Sequence, residues 1–102
     1  MSDIKYKNCN SSRPIGVFDA GPGGLAVVKY MMKILPSENL LYLGDTARQP
    51  YGPQPVEKVR SNTVECLSWM EAQGVKAILI GCNTASIAAL DAVLEKMTAI
   101  PV

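Results

Sequence analysis

Three short apolar runs, residues 15–18, 40–43 and 77–80, lead into Asp19, Gly44-Asp45 and Gly81-Cys82, and each is followed by a segment of helical periodicity. Such alternation specifies an α/β domain, because short apolar strands that alternate with amphipathic helices bury both faces of a parallel sheet. Right-handed crossovers then bring the loops at the carboxyl ends of the strands to one rim. The expected helices cover residues 25–35, 56–73 and 85–97. Pro36 stops the first, whose Val28, Met31, Met32 and Leu35 lie to one side. Val56, Val59, Thr63, Leu67 and Met70 form the inner stripe of the second, with Cys66 beside it as a core residue and Gly74 as C-cap. In the third, Ile87, Leu90, Leu94 and Met97 define an apolar face, while Ala85, Ala88, Ala89 and Ala92 permit close approach of a neighbour. Asn83 or Thr84 is placed to cap it. Ile100-Pro101-Val102 reads as the start of a fourth strand, completing a β-α-β-α-β-α-β order in a three-layer, mostly parallel arrangement. Residues 1–13 are polar and aperiodic and read as a flexible leader carrying an incidental thiol, Cys9.

Composition narrows the chemistry. A chain of 102 residues is one domain, and residues 14–102 form its folded part. The net charge is +1, and the three arginines, Arg13, Arg48 and Arg60, are scattered, which argues against a nucleic-acid footprint. No apolar run approaches the length that spans a bilayer, so no membrane partner is expected. Three cysteines without paired spacing fit a reducing, cytoplasmic setting. With no histidine in the chain, Ser-His and Cys-His nucleophile pairs are excluded and the commonest metal ligand is missing. Acid–base work falls to Cys, Asp, Glu, Lys or Tyr, and no metal site is expected.

Two rim features could carry chemistry. Gly21-Pro22-Gly23-Gly24-Leu25-Ala26 satisfies G-x-G-x-x-A, and Asp45 ends the next strand where a ribose-binding acid would lie. Asp19 would set a carboxylate against the pyrophosphate, however, so a tight strand-to-helix turn is the better reading. The second feature is Cys82. Buried cysteine is usually inert packing, but here it joins the end of a strand to the start of a helix, where unpaired amides favour a thiolate. Ala88 stands where a Cys-x5-Arg loop needs arginine, and Ala85 where a Cys-x-x-Cys pair needs its second thiol. What remains is a thiol that carries a proton, tuned by Asp19 or Asp45. Asn83, Thr84 and Tyr51 could supply donors to a carboxylate or to developing enolate-like charge.

Three segments together resemble the glutamate racemase family, within the wider aspartate/glutamate racemase superfamily. They are residues 14–25 (PIGVFDAGPGGL), 42–53 (YLGDTARQPYGP) and 81–86 (GCNTAS), in family order and spacing. The resemblance implies one half of a two-domain fold and an isomerase that interconverts L- and D-glutamate without a cofactor, supplying D-glutamate for peptidoglycan, cell-wall biogenesis and cell shape. It implies a catalytic role for Cys82 assisted by Asp19, and substrate contacts from Ala20, Pro50, Tyr51, Gly52, Asn83 and Thr84. Ala20 stands where the family usually has a serine that touches substrate, so one hydrogen bond is lost or passes to water. The family's second cysteine belongs to a second half that this sequence does not contain. The expectation is an N-terminal half-site that is inactive or very weak alone, with a homodimer as a family possibility. A racemase for aspartate or a related acid is the alternative in kind, and a non-catalytic nucleotide- or anion-binding module the alternative in class.

Overall fold

The computed structural model describes residues 12–21, 23–96 and 99–102. Its elements run β1 (Ile15–Asp19), α1 (Gly24–Ile34), β2 (Leu40–Gly44), a 3₁₀ turn (Thr46–Arg48), α2 (Val56–Ala72), β3 (Ala77–Ile80) and α3 (Asn83–Lys96). The strands form a parallel sheet in the order β2-β1-β3, with Ile15 opposite both Leu40 and Ala77. The central position therefore falls to β1, and the apolar run of β3 lies beside it. Residues 100–102 are not assigned as a strand, yet Ile78 N–H donates to the Pro101 carbonyl at 2.9 Å and Ile100 is buried. The segment runs where a fourth strand would pair with β3.

Strand alternation divides the core in two. Phe18 and Ile78, with Leu41, Leu43 and Ile80 at their edges, join one buried cluster with Val59, Leu67 and Met70 of α2 and Ala85, Ala89 and Val93 of α3. Val17, Tyr42 and Leu79, paired in register, face the other way toward α1. A β2–β1–β3 order built from right-handed crossovers requires this, since the chain reverses direction across the sheet after β2. The layer over β3 on the α1 side is thin, and Leu79 is left 43% exposed.

The α2 stripe is buried as its periodicity predicts, apart from exposed Val56 at its start. Gly74, just past the C-cap Gln73, takes φ +90°, a conformation that side-chain-bearing residues rarely adopt. The third helix departs from expectation. Ala85, Ala89 and Val93 are fully buried, whereas Ile87, Leu90 and Leu94 face solvent; Met97 lies outside the described residues. Packing against α2 rather than flat on the sheet selects the small residues, because a close helix–helix approach leaves no room for leucine. On α1, likewise, only Met31 of its four apolar stripe residues is buried; Val28 is half-buried, and Met32 and Leu35 are exposed. The leader 1–11, with Cys9, lies outside the described residues. No helix among those described is long and apolar enough to cross a membrane.

Candidate active site

Hydrogen bonds between strand ends assemble the rim. Gly81 N–H donates to the Phe18 carbonyl at 2.7 Å, and Asp45 N–H donates to the Asp19 carbonyl at 2.9 Å. Asp19 thus sits at the meeting point of all three strands. Cys82 follows one residue after Gly81, and the N-cap position of α3 is its own. Its carbonyl accepts Ser86 N–H at 2.9 Å, and its Sγ accepts Ala85 N–H at 3.4 Å. The helix starts one residue earlier than Asn83 capping would require and two earlier than Thr84 capping would. Asn83 becomes an exposed first-turn residue and Thr84 a half-buried one. Cys82 is 9% exposed and shares a buried cluster with Ala20, Tyr51 and Ala85.

The glycine loop proves to be a close-packed turn against Asp19. One carboxylate oxygen of Asp19 accepts Ala20 N–H at 2.6 Å. Its other oxygen faces the backbone of the loop and of Gly81: a Cβ on Gly23, Gly24 or Gly81 would lie 3.2, 3.1 or 3.9 Å from it. At Gly24 the fit is tightest, where a Cβ would also come within 2.7 Å of the Tyr42 ring and 2.8 Å of Asp19 Cβ. Gly24→Ala is expected to destabilise the domain by about 1–3 kcal/mol through overpacking, read as a lower urea midpoint. A midpoint unchanged from the parent would show that ring and carboxylate give way freely.

Tyr42 is the participant that sequence reading missed. Its hydroxyl donates to the Gly21 carbonyl at 2.7 Å, holding the loop from below. Burial, and then the negative charge of Asp19, raise its pKa. The signal was present in the sequence: Tyr42 precedes Gly44 by two residues and so shares its face of β2, and a tyrosine in a strand needs a partner for its hydroxyl.

The second loop is organised around Asp45. Its Oδ2 accepts from the Tyr51 hydroxyl and, at 2.8 Å, from Arg48 Nε, with the Cys66 thiol 3.7 Å away. Arg48 continues to Asn62 Oδ1 at 2.9 Å and Glu65 at 3.3 Å on α2. Gln54 clamps the loop by donating to the carbonyls of Arg48 and Pro50. Tyr51 is 2% exposed and its ring lies 6.3 Å from that of Phe18, so its hydroxyl is spent inside the protein. Pro50 and Gly52, which flank it, are exposed. Asp45 is equally committed, which removes the acid that a ribose-binding reading needs and leaves Asp19 as the rim carboxylate. Among the described residues no group of three His, Cys, Asp or Glu side chains could hold a metal ion.

This second cluster has a pH consequence. Burial and the hydrogen bond to Asp45 raise the Tyr51 phenol well above its ordinary 10.0, and burial and the Asp45 charge raise the Cys66 thiol above 9.0. Above those ordinary values the unfolded chain releases protons that the folded chain keeps, so stability must fall as pH rises. For Tyr51 the slope reaches about 1.4 kcal/mol per pH unit beyond pH 10. Urea midpoints measured from pH 8 to 11 should decline, and Tyr51→Phe should flatten the decline. A flat midpoint in the parent would refute this origin.

The arrangement is that of an open α/β domain with a thiol at a helix N-terminus, one residue after the Gly81 backbone that faces the Asp19 carboxylate of the central strand. Comparison with known proteins makes the class specific. A glutamate racemase of Roseiflexus sp. is 46% identical over 91 residues, covering 89% of this chain and 34% of that protein. The structure of the Francisella tularensis glutamate racemase in complex with D-glutamate superposes with a TM-score of 0.88 at 47% identity, over 91% of this chain and 35% of that one. The Thermus thermophilus enzyme in complex with β-chloro-D-alanine gives 0.84 at 48% identity, over 90% and 36%. No family model matches the chain. The chain is homologous to the glutamate racemases and spans about a third of the length of those it matches.

Proposed function

We propose that this chain carries one half of a cofactor-independent glutamate racemase site, in which Cys82 moves the proton at Cα. The observation that carries the reading is the Cys82 sulfur, set as the capping atom of α3 where β3 ends beside Asp19. An amino-acid carboxylate placed over the start of α3 would meet the backbone of Asn83 and Thr84, and the helix dipole favours a negative group there. The thiolate of Cys82 takes the α-proton; the electron pair left on Cα delocalises into the carboxylate as an ene-diolate. Asp19 assists the thiol, and Ala20 and the Pro50-Tyr51-Gly52 segment line the substrate. Since Tyr51 spends its hydroxyl on Asp45 and is 2% exposed, its segment would offer backbone and the exposed Pro50 and Gly52 rather than a phenol.

Inversion requires a proton delivered to the opposite face, and that donor is expected from a second cysteine in the part of the relatives' length that these residues do not match. The product, D-glutamate, would serve peptidoglycan synthesis in the cytoplasm. The chain alone should return a solvent-derived proton to the face from which it was taken. Incubation in D2O with L- and with D-glutamate, followed by NMR of Cα–H and chiral analysis, tests this. Exchange of one enantiomer without inversion is the expected result. Racemisation by the isolated chain, or no exchange of either enantiomer, would overturn the half-site. Faster exchange of aspartate in a parallel arm would move the substrate to that acid.

A further inference from the structure

A cavity of about 330 Å³ lies between the 3₁₀ turn, the end of β2 and the outer side of α2, lined by Leu43, Ala47, Arg48, Glu65, Cys66 and Trp69 among others. Its volume is at the lower end of the range for small-molecule sites. None of Asp19, Ala20, Tyr51 or Cys82 lines it, so it is distinct from the rim site. Its character is set by two features. Trp69 is 48% exposed, an aromatic face left open at the wall. The single cation, Arg48, lies 2.8 Å from Asp45 and 3.3 Å from Glu65, so two carboxylates share one guanidinium and the cavity carries a net negative charge. Asp45 is buried and committed to Tyr51 and Arg48, whereas the Glu65 side chain, 3.3 Å from Arg48, is 69% exposed and accessible to an occupant.

We infer that this cavity is a binding site for a small planar aromatic cation, stacked on Trp69 with its charge on Glu65. An indole face attracts a cation laid against it, and a carboxylate at the rim fixes the charged end. An anion of the same shape would meet excess negative charge while Arg48 is already satisfied. Asp45, which lines the cavity beside Cys66, also holds the Tyr51 hydroxyl, so an occupant would brace the 45–54 loop from behind.

Trp69 is the only tryptophan of the chain, so its emission reports on the cavity directly. Benzamidine is the probe, with benzoate and benzyl alcohol as isosteres of opposite and zero charge, titrated into the full chain. Amide ¹H–¹⁵N shifts at Ala47 and Cys66 would locate the binding. Benzamidine should change the emission saturably, ahead of both isosteres, and slow hydrogen exchange at Gln54. Glu65→Gln, at an exposed position, should weaken binding about fivefold, the size of one partly exposed charge contact. Benzoate or benzyl alcohol binding as well as benzamidine would overturn the inference. So would benzamidine affinity unchanged in Glu65→Gln, or shifts confined to residues outside the cavity.

Discussion

Cys82→Ser should reduce deuterium incorporation at Cα of glutamate by about 10²–10⁴-fold, the usual contribution of a positioned acid–base group. A serine hydroxyl in the same place is far too weak an acid to populate its conjugate base near neutral pH. The same substitution should leave the fold intact. Cys82 Sγ accepts the Ala85 amide at 3.4 Å as the N-cap of α3, and a serine Oγ is a better acceptor for that bond. Thermal stability is therefore expected to hold or to rise slightly. This pairing separates the roles: a purely structural thiol would show the converse, unchanged exchange with altered stability. Cys82→Ala sharpens the contrast, because it removes the cap as well and should cost about 0.5–2 kcal/mol. Exchange retained in Cys82→Ser would remove the thiol from the mechanism.

The legibility of this fold varies with the kind of information each element carries. The three strands could be read because a buried parallel strand is an apolar run bounded by breakers, and all three carboxyl ends carry polar residues. The α2 stripe was equally plain, since only one of its faces is apolar. On α3 two faces compete, one of alanines and one of Ile87, Leu90 and Leu94. Periodicity cannot say which of them meets α2; close helix packing chose the smaller. The rim location of Asp19, Ala20, Tyr51 and Cys82 followed from topology. The partners of each polar group did not, because hydrogen bonds among Asp45, Arg48, Tyr51 and Asn62 depend on distances that sequence spacing does not encode. Capping misled for a related reason: Asn and Thr have the stronger propensity, but the position of the helix start gave the role to a cysteine.

Asp45→Ala should be among the most damaging single substitutions in the chain, although Asp45 touches neither Asp19's carboxylate nor the thiol of Cys82 in any bond described above. One oxygen of this carboxylate gathers the Tyr51 hydroxyl and Arg48, and its backbone amide ties β2 to β1 at Asp19. Alanine keeps the backbone bond and deletes the side-chain bonds to Tyr51, Arg48 and the Cys66 thiol. Tyr51, 2% exposed, is then left with a buried hydroxyl that has lost its acceptor, and Arg48 keeps only its links to α2. Orphaning a buried donor and removing one member of a largely buried ion pair should together cost about 2–4 kcal/mol. In a domain of this size that lowers the melting temperature by roughly 10–25 °C. Asp45→Asn retains an acceptor and should cost less than half as much. The double variant Asp45→Ala with Tyr51→Phe should recover part of the loss, because the orphaned hydroxyl is gone. Strict additivity of the two substitutions would show that Asp45 and Tyr51 act independently, and the loop that presents Pro50 and Gly52 would then owe its shape to the Arg48–Asn62 and Gln54 bonds alone.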